Sequence, residues 1–530
     1  MSKFNRVATR PAATSPVATA TTPTAVTHEG GPGFARDAKS ELFLLAVANM
    51  VSEKTFYESA DARDDRYEAL IQQVAVADPA WMLGFIGWLR GDANMRSASL
   101  VAAVEAVRAR LAAGADDGPV RNRQLIAAAM QRADEPGELL AYWMGRYGER
   151  IPKPIKRGVG DAVVRLYTQR SLLKYDTASK GLRFGRVLDL VHPIAASPEQ
   201  GDLFAHALNR MHGRDSVLPA ELGVLVRNTG LRNRVAAGHV DLLLDADNLR
   251  AAGMSWEDAL SLAGSHVDKA RLWEALIPSM GIMALARNLR NFDEAGVSDK
   301  VAATVAARFA DPAEVAKSRM FPFRWLAAYR AAPSLRWGHA LDQALTASLA
   351  NVPALPGRTL ILVDVSGSMA DCMSGRSELN RADAAGVFGA ALALRAADPT
   401  LVWFNHTSGQ VQVPRGGSLL RLVESIPKPN GGTETTEAVR RWLQGHDRVV
   451  IITDEQAGHG WYGGNPADEV PARTPLYTWN LAGYQHGHGP SGGQFRHTFG
   501  GLTDQAFGMI PLLEAQRSCA WPWEQTQETR

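Results

Sequence analysis

The sequence predicts a long α-helical region followed by an α/β domain with a mostly parallel sheet, and three observations carry that expectation. From about Asp37 to Ala350, apolar residues recur at helical spacing, with only short breaks between segments. After Pro353 the pattern changes to short runs of β-forming residues separated by helical stretches. With 530 residues and 46% hydrophobic content, the chain can bury cores for roughly two to four domains.

Residues 1–30, rich in Ala, Thr and Pro, are expected to form a flexible tail, because so little apolar surface cannot offset the entropy of ordering. Lys3, Arg6 and Arg10 among few acids resemble an organelle transit peptide, but the amphipathic pattern of one is missing. Residues 31–352 form the helical region. Its breaks include Ala77-Asp78-Pro79, Gly114-Ala115-Asp116-Asp117-Gly118 and Ala310-Asp311-Pro312. In the segment starting at Ile155, Val159, Ala162, Val163 and Leu166 share one helical face; Ile282, Leu285, Ala286 and Leu289 form a second example. Many short helices with short connections suit stacked helical pairs, an α-solenoid; a large irregular helical domain is the plainer alternative.

Residues 353–530 form the α/β domain. Thr359-Leu-Ile-Leu-Val-Asp364, Leu401-Val-Trp-Phe404, Arg448-Val-Val-Ile-Ile-Thr453 and Leu476-Tyr-Thr-Trp479 read as buried strands. Ala382 to Ala396 and Thr435 to Leu443 read as helices between them. Ligands of such sheets bind at the carboxyl ends of the strands.

Composition narrows the function classes. Lys and Arg total 57 against 55 acids, so a net charge of +2 names no nucleic-acid partner and local clustering has to do so. Two cysteines, Cys372 and Cys519, exclude a disulfide framework and fit a reducing, cytoplasmic location. No apolar run is long enough for a membrane span.

One candidate site is a metal centre. Asp364-Val-Ser366-Gly-Ser368 ends the first strand, Thr433 stands in Gly431-Gly-Thr-Glu-Thr, and Asp454 follows the strand ending at Thr453. Carboxylates and hydroxyls from strand-end loops suit a hard cation, Mg²⁺ or another divalent ion. The plainer reading is a polar strand-to-helix turn. Neither glycine-rich stretch precedes the Lys-Ser/Thr of a phosphate-cradling loop, and no nucleophile–base constellation accompanies Asp364, so no enzyme is expected. His486, His488 and His497 fit a solvated glycine-rich loop better than a zinc site.

The second candidate is a basic surface. Between Lys153 and His192, nine Lys and Arg residues face three acids. Lys153, Lys156, Arg157 and Arg165 lie opposite the apolar face of their helix, and Lys174, Lys180, Arg183, Arg186 and His192 follow. Such a stripe neutralises phosphates; the plainer reading is a solvated charged face.

Two resemblances extend these readings. The Asp-x-Ser-x-Ser, Thr and Asp set resembles the metal-ion-dependent adhesion site of von Willebrand A domains. That implies direct or water-mediated ligation by Asp364, Ser366, Ser368 and Thr433, ligation by Asp454 directly or through water, and an acidic group of a partner completing the site. Leu173-Lys-Tyr175, Arg183, Asp189-Leu190 and Val191-His192-Pro193 are similar to the signature of the TROVE domain of Ro autoantigen proteins and their bacterial relatives. Glu29-Gly-Gly31 with Thr55-Phe-Tyr57, and Leu272-Trp-Glu-Ala-Leu276 with Met283 to Asn291, extend that match.

The TROVE resemblance implies a ring of HEAT-like helical repeats. It implies small noncoding Y RNA bound on the outer surface and 3′ single-stranded ends of misfolded RNAs in the central hole. Lys174 and His192 match outer-surface RNA contacts; Lys180 and Arg183 lie in the same block. The implied role is non-catalytic RNA quality control, with an exoribonuclease such as polynucleotide phosphorylase bridged by a Y-like RNA. The chain departs from the pattern at His28-Glu29, where an asparagine usually precedes Ala-Gly-Gly, and at Thr177-Ala-Ser-Lys180, which lengthens the block. Arg287, Arg290 and Asn291 either line the ring hole or join neighbouring repeats. The alternative function is a metal-dependent protein-interaction scaffold without an RNA role.

Overall fold

The computed structural model describes residues 12–48, 51–115, 118–214, 217–265, 267–332, 334–373, 377, 379–459 and 464–525. The chain divides into two compact units, one of residues 71–320 and 324–347, the other of residues 1–70, 321–323 and 348–530.

The first unit is helical, with no strand among its described residues. The Asp-Pro breaks end and restart helices by one mechanism. The Asp78 side chain accepts from the Trp81 N–H (3.0 Å) to cap helix Pro79–Gly91, and Asp311 accepts from the Ala313 N–H (2.8 Å) to cap Pro312–Ser318. In each, proline occupies the first turn, where no amide donor is needed. The apolar face through Ile282 and Leu289 is two helices, Ile282–Arg287 and Leu289–Ala295. Asn288 breaks them, its side-chain amide donating to the Ala284 carbonyl (2.8 Å), a local bond that competes with helix continuation. The beginning and end of the unit meet. Arg319 Nη1 donates to the Gly91 carbonyl (3.1 Å) and Gln131 Oε1 (3.1 Å), and Asn94 Nδ2 donates to the Arg319 carbonyl (3.2 Å). The helical array therefore closes on itself, as a ring requires.

The second unit is built on a six-stranded sheet of order β5-β4-β3-β6-β7-β9, alongside a three-stranded sheet of order β1-β2-β8. The strands are β1 (Ala25–Val26), β2 (Pro32–Ala35), β3 (Leu355–Asp364), β4 (Ala396–Phe404), β5 (Ser408–Val411), β6 (Arg448–Thr453), β7 (Leu476–Asn480), β8 (His486–Gly487) and β9 (Arg496–Gly500). In the large sheet only the edge pair β4–β5 is antiparallel. This is the α/β class expected of a von Willebrand A-like domain. Leu360, Leu362, Val402, Phe404, Val449 and Ile451 pack on one face against Ala438 and Val439 of helix Thr435–Trp442. Helix Arg381–Arg395 covers the other face, close enough that a Cβ on Gly389 would stand 2.4 Å from Val363 Cγ2.

Three expectations require correction. Residues 1–11 of the supposed tail lie outside the described residues, but residues 12–30 are built into the α/β unit. Ser15 N–H donates to the Gly492 carbonyl (3.1 Å), Cys519 N–H to the Thr14 carbonyl (2.8 Å), and Val17 is buried. The segment compensates for its few apolar side chains with backbone hydrogen bonds, which composition does not register. The domain boundary moves as well, since the described residues up to 70 group with the α/β unit and not with residues 71–320. The histidines are not in a solvated loop either. His488 and His497 are buried, and His497 lies in β9 with Nδ1 3.0 Å from Ser15 Oγ. Among the described residues no helix is long and apolar enough to cross a membrane.

Candidate functional site

In the α/β unit, β3 pairs with β4 on one side and β6 on the other, so the chain reverses its winding at the carboxyl end of β3. The register Val363 opposite Ile452 sets Asp364 beside Thr453, with Asp454 next in the chain. Asp364 Oδ1 accepts from the Ser366 N–H (2.8 Å), and Oδ2 accepts from the Thr453 hydroxyl (2.6 Å). Ser366 Oγ and Ser368 Oγ stand 3.2 Å apart. That is close to the roughly 2.9 Å between adjacent corners of an octahedron with bonds of about 2.0–2.1 Å.

The Thr433 loop is fastened to this turn by backbone bonds: Gly367 N–H to the Gly431 carbonyl (2.8 Å) and Asn430 N–H to the Val365 carbonyl (2.9 Å). The structure therefore brings together Asp364, Ser366, Ser368, Thr433 and Asp454, and buries all five. Burial, and then the charge of Asp454, pushes the Asp364 carboxyl well above the usual carboxylate range; burial also raises Asp454. Asp454 Oδ1 accepts from the Gln456 N–H (3.1 Å), whereas buried Oδ2 has no partner among the described residues. Two buried carboxylates, three hydroxyls and an orphaned oxygen fit a hard divalent cation. Among the described residues no group of three or more His, Cys, Asp or Glu forms a metal cluster, so any metal chemistry here depends on the hydroxyls.

In the helical unit, helix Lys153–Leu166 carries the first part of the basic block. Ile155, Val159, Ala162 and Val163 are fully buried. Gly158 lets this helix approach Asn122–Ala128 so closely that a Cβ would stand 2.6 Å from the Arg123 carbonyl oxygen. The first turn is thereby fixed with Lys153 and Arg157 exposed and Lys156 half-buried. No carboxylate pairs with these three, nor with exposed Lys174, among the described residues. Arg121, Arg123, Pro154 and Arg157 line a cleft of about 210 Å³ beside this turn. Sequence reasoning does not find Arg121 and Arg123, because they lie some thirty residues earlier, outside the basic block; of the two, Arg123 is paired with Asp161 (2.6 Å).

The rest of the block is differently employed. Lys180 pairs with Glu138 (3.0 Å) and Asp134 (3.3 Å), Arg183 with Asp176 (3.0 Å) and Arg186 with Asp189 (2.7 Å). Arg165 donates to the Met130 (2.9 Å) and Ala127 (3.2 Å) carbonyls. These four belong to the unit's internal bonding, which corrects the picture of one free stripe. His192 is exposed at the left-handed end of helix Phe184–Val191. Arg287, Arg290 and Asn291 are all exposed. Burial, and then the charge of Arg287, lowers the Arg324 guanidinium below its ordinary range, which places two cations near one another.

A closed helical array with an exposed basic turn, joined in one chain to a parallel sheet with buried oxygens at its strand ends, defines a helical-ring protein with an appended α/β domain. Residues 250–337 match the model of the TROVE domain, and the chain is similar to Ro proteins. It is 31% identical over 191 residues to RNA-binding protein RO60 of Deinococcus radiodurans, covering 31% of this chain and 36% of that protein. It is 40% identical over 77 residues to telomerase protein component 1 of Mus musculus, 14% of this chain and 3% of that protein. The match thus spans about a third of the first relative and a small part of the second. The crystal structure of the Deinococcus radiodurans Ro (RSR) protein shares the fold, with a TM-score of 0.59 and 18% identity over 91% of this chain and 99% of that one.

Proposed function

We propose that this chain binds RNA through its helical unit and, in its α/β unit, holds a divalent cation at an adhesion site. Both roles are non-catalytic. The observation that carries the RNA reading is the set of uncompensated cations at Lys153, Lys156, Arg157 and Lys174, of which Arg157 lines a cleft with Arg121 and Arg123. Positive groups left without carboxylates are available to phosphates, and releasing the phosphates' counterions supplies the affinity. The relative named as an RNA-binding protein supports the same reading.

The RNA we propose is a small structured noncoding RNA, Y-like, held on this outer face with His192. Single-stranded 3′ ends of misfolded RNA would thread past Arg287, Arg290 and Arg324. Such a particle would present RNA to an exoribonuclease in the cytoplasm. At the adhesion site Asp364, Ser366, Ser368, Thr433 and Asp454 hold Mg²⁺ or another divalent cation. When bound, the cation supplies positive charge that attracts an acidic oxygen.

Purification in moderate salt tests the RNA reading. The protein should carry RNA, seen as excess absorbance at the nucleic-acid maximum and as discrete small species on a denaturing gel. Nucleic-acid-free protein that also fails to take up added RNA at low salt would favour a metal-dependent protein-interaction scaffold instead.

A further inference from the structure

Residues 27–31 form a tight turn pinned to the loop that follows Asp454. Thr27 Oγ1 donates to the Ala457 carbonyl (2.7 Å), the His28 N–H donates to Gln456 Oε1 (2.8 Å), and Gly30 forms an antiparallel bridge with Gly458. The approach requires glycine at position 31, where a Cβ would stand 2.4 Å from the Ala457 carbonyl oxygen. The same loop is tied to a candidate ligand, since the Gly458 N–H donates to the Thr433 carbonyl (3.1 Å). Glu29 therefore stands at the tip of a turn fixed to both the Asp454 and Thr433 loops.

The Glu29 carboxylate accepts a hydrogen bond from the Tyr57 hydroxyl, which is also within hydrogen-bonding reach of Ser368. Tyr57 is held in place by its ring, stacked on His28 (4.7 Å, 2°) and edge-on to Tyr484 (5.5 Å). No Lys or Arg pairs with Glu29 among the described residues. An exposed, unneutralised carboxylate beside a buried oxygen cluster with the orphaned Asp454 Oδ2 is an arrangement that a cation would relieve.

We propose that Glu29 is the acidic group that completes the divalent-cation site, so that the site is closed from within the chain and an acidic partner must displace Glu29. This rests on the reading of Asp364, Ser366, Ser368, Thr433 and Asp454 as a metal site. Tyr57 is a positioning residue that aims the Glu29 carboxylate. Neither residue belongs to the strand-end motif; Glu29 reaches it from a distant part of the chain.

Mn²⁺ is a suitable probe, because its affinity is measured by calorimetry and its number of bound waters by water-proton relaxation. Glu29→Gln should bind Mn²⁺ about tenfold or more weakly and gain one coordinated water, raising the relaxation enhancement per bound ion. Added acetate should reverse that gain in Glu29→Gln and leave the wild type unchanged. Tyr57→Phe should shift both readouts the same way by less. Equal affinity and equal relaxation in wild type and Glu29→Gln, with binding lost in Asp364→Ala, would overturn the role of Glu29 and leave the metal site standing. No Mn²⁺ binding by the wild type would overturn both.

Discussion

In the α/β unit the five candidate ligand residues are buried, converge from two strand ends and a linking loop, and are held by backbone hydrogen bonds. In the helical unit the candidate binding groups are long cationic side chains on exposed helix turns, each placed by the packing of the helix beneath it. The first arrangement is a rigid pocket in which one missing group is felt by all the others. The second is a surface on which each cation adds its share independently. Substitution effects should differ accordingly.

The largest effect is expected at the rigid pocket. Partners that only orient metal ligands are worth about 10–100-fold in affinity, so Asp364→Ala should exceed that loss for Mg²⁺ or Mn²⁺. The helical unit should keep its circular dichroism. Undiminished metal binding by calorimetry would remove the pocket from the comparison.

Acid should distinguish the units next. Burial pushes the His497 imidazole down to about 4 and also lowers His488. Unfolded histidine titrates near 6.5, so His497 binds fewer protons folded than unfolded between those values, whereas the raised Asp364 and Asp454 carboxyls bind more and act in the opposite direction. The His497 contribution is fully present above about pH 6.5 and is lost as pH falls toward 4, on the order of 2–3 kcal/mol. Thermal melts of wild type and His497→Gln across this range isolate it as the difference between the two proteins. A difference that does not change with pH from about 7 to about 4 would contradict the buried neutral imidazole.

A smaller effect is expected where the helical array closes. Arg319→Ala removes the bonds to Gly91 and Gln131, worth about 1 kcal/mol each at most. It should speed amide exchange in Pro79–Gly91 without changing metal binding. Unchanged exchange there would mean that Arg319 does not fasten the closure.

The same contrast explains what is legible in the sequence. The strand-end oxygens can be read because each follows directly from an apolar β run, and the sheet itself brings the ends together. Strands β5 and β9 are not legible: Ser408–Val411 is short, and Arg496–Gly500 is polar yet buried. The basic block is visible, but its division is not. Lys180 finds Asp134 and Glu138 more than forty residues earlier in the chain, whereas Lys153 and Arg157 find no acid among the described residues. Glu29-Gly-Gly31 and Thr55-Phe-Tyr57 are marked by resemblance alone. Their role depends on one tight turn docking on the loop after Asp454, a tertiary event with no local signature.

RNA binding by the helical unit is tested most directly by filter binding of a small stem-loop RNA across a salt series. The comparison is between wild type and a variant with Lys153, Lys156, Arg157 and Lys174 all changed to Ser. Wild-type affinity should fall steeply with salt, and the variant's log–log slope should be shallower by about 0.7–0.9 for each phosphate that it no longer neutralises. Its affinity at low salt should drop while its helical circular dichroism is unchanged. Equal affinity and equal slope for the two proteins would contradict the assignment of RNA binding to this face.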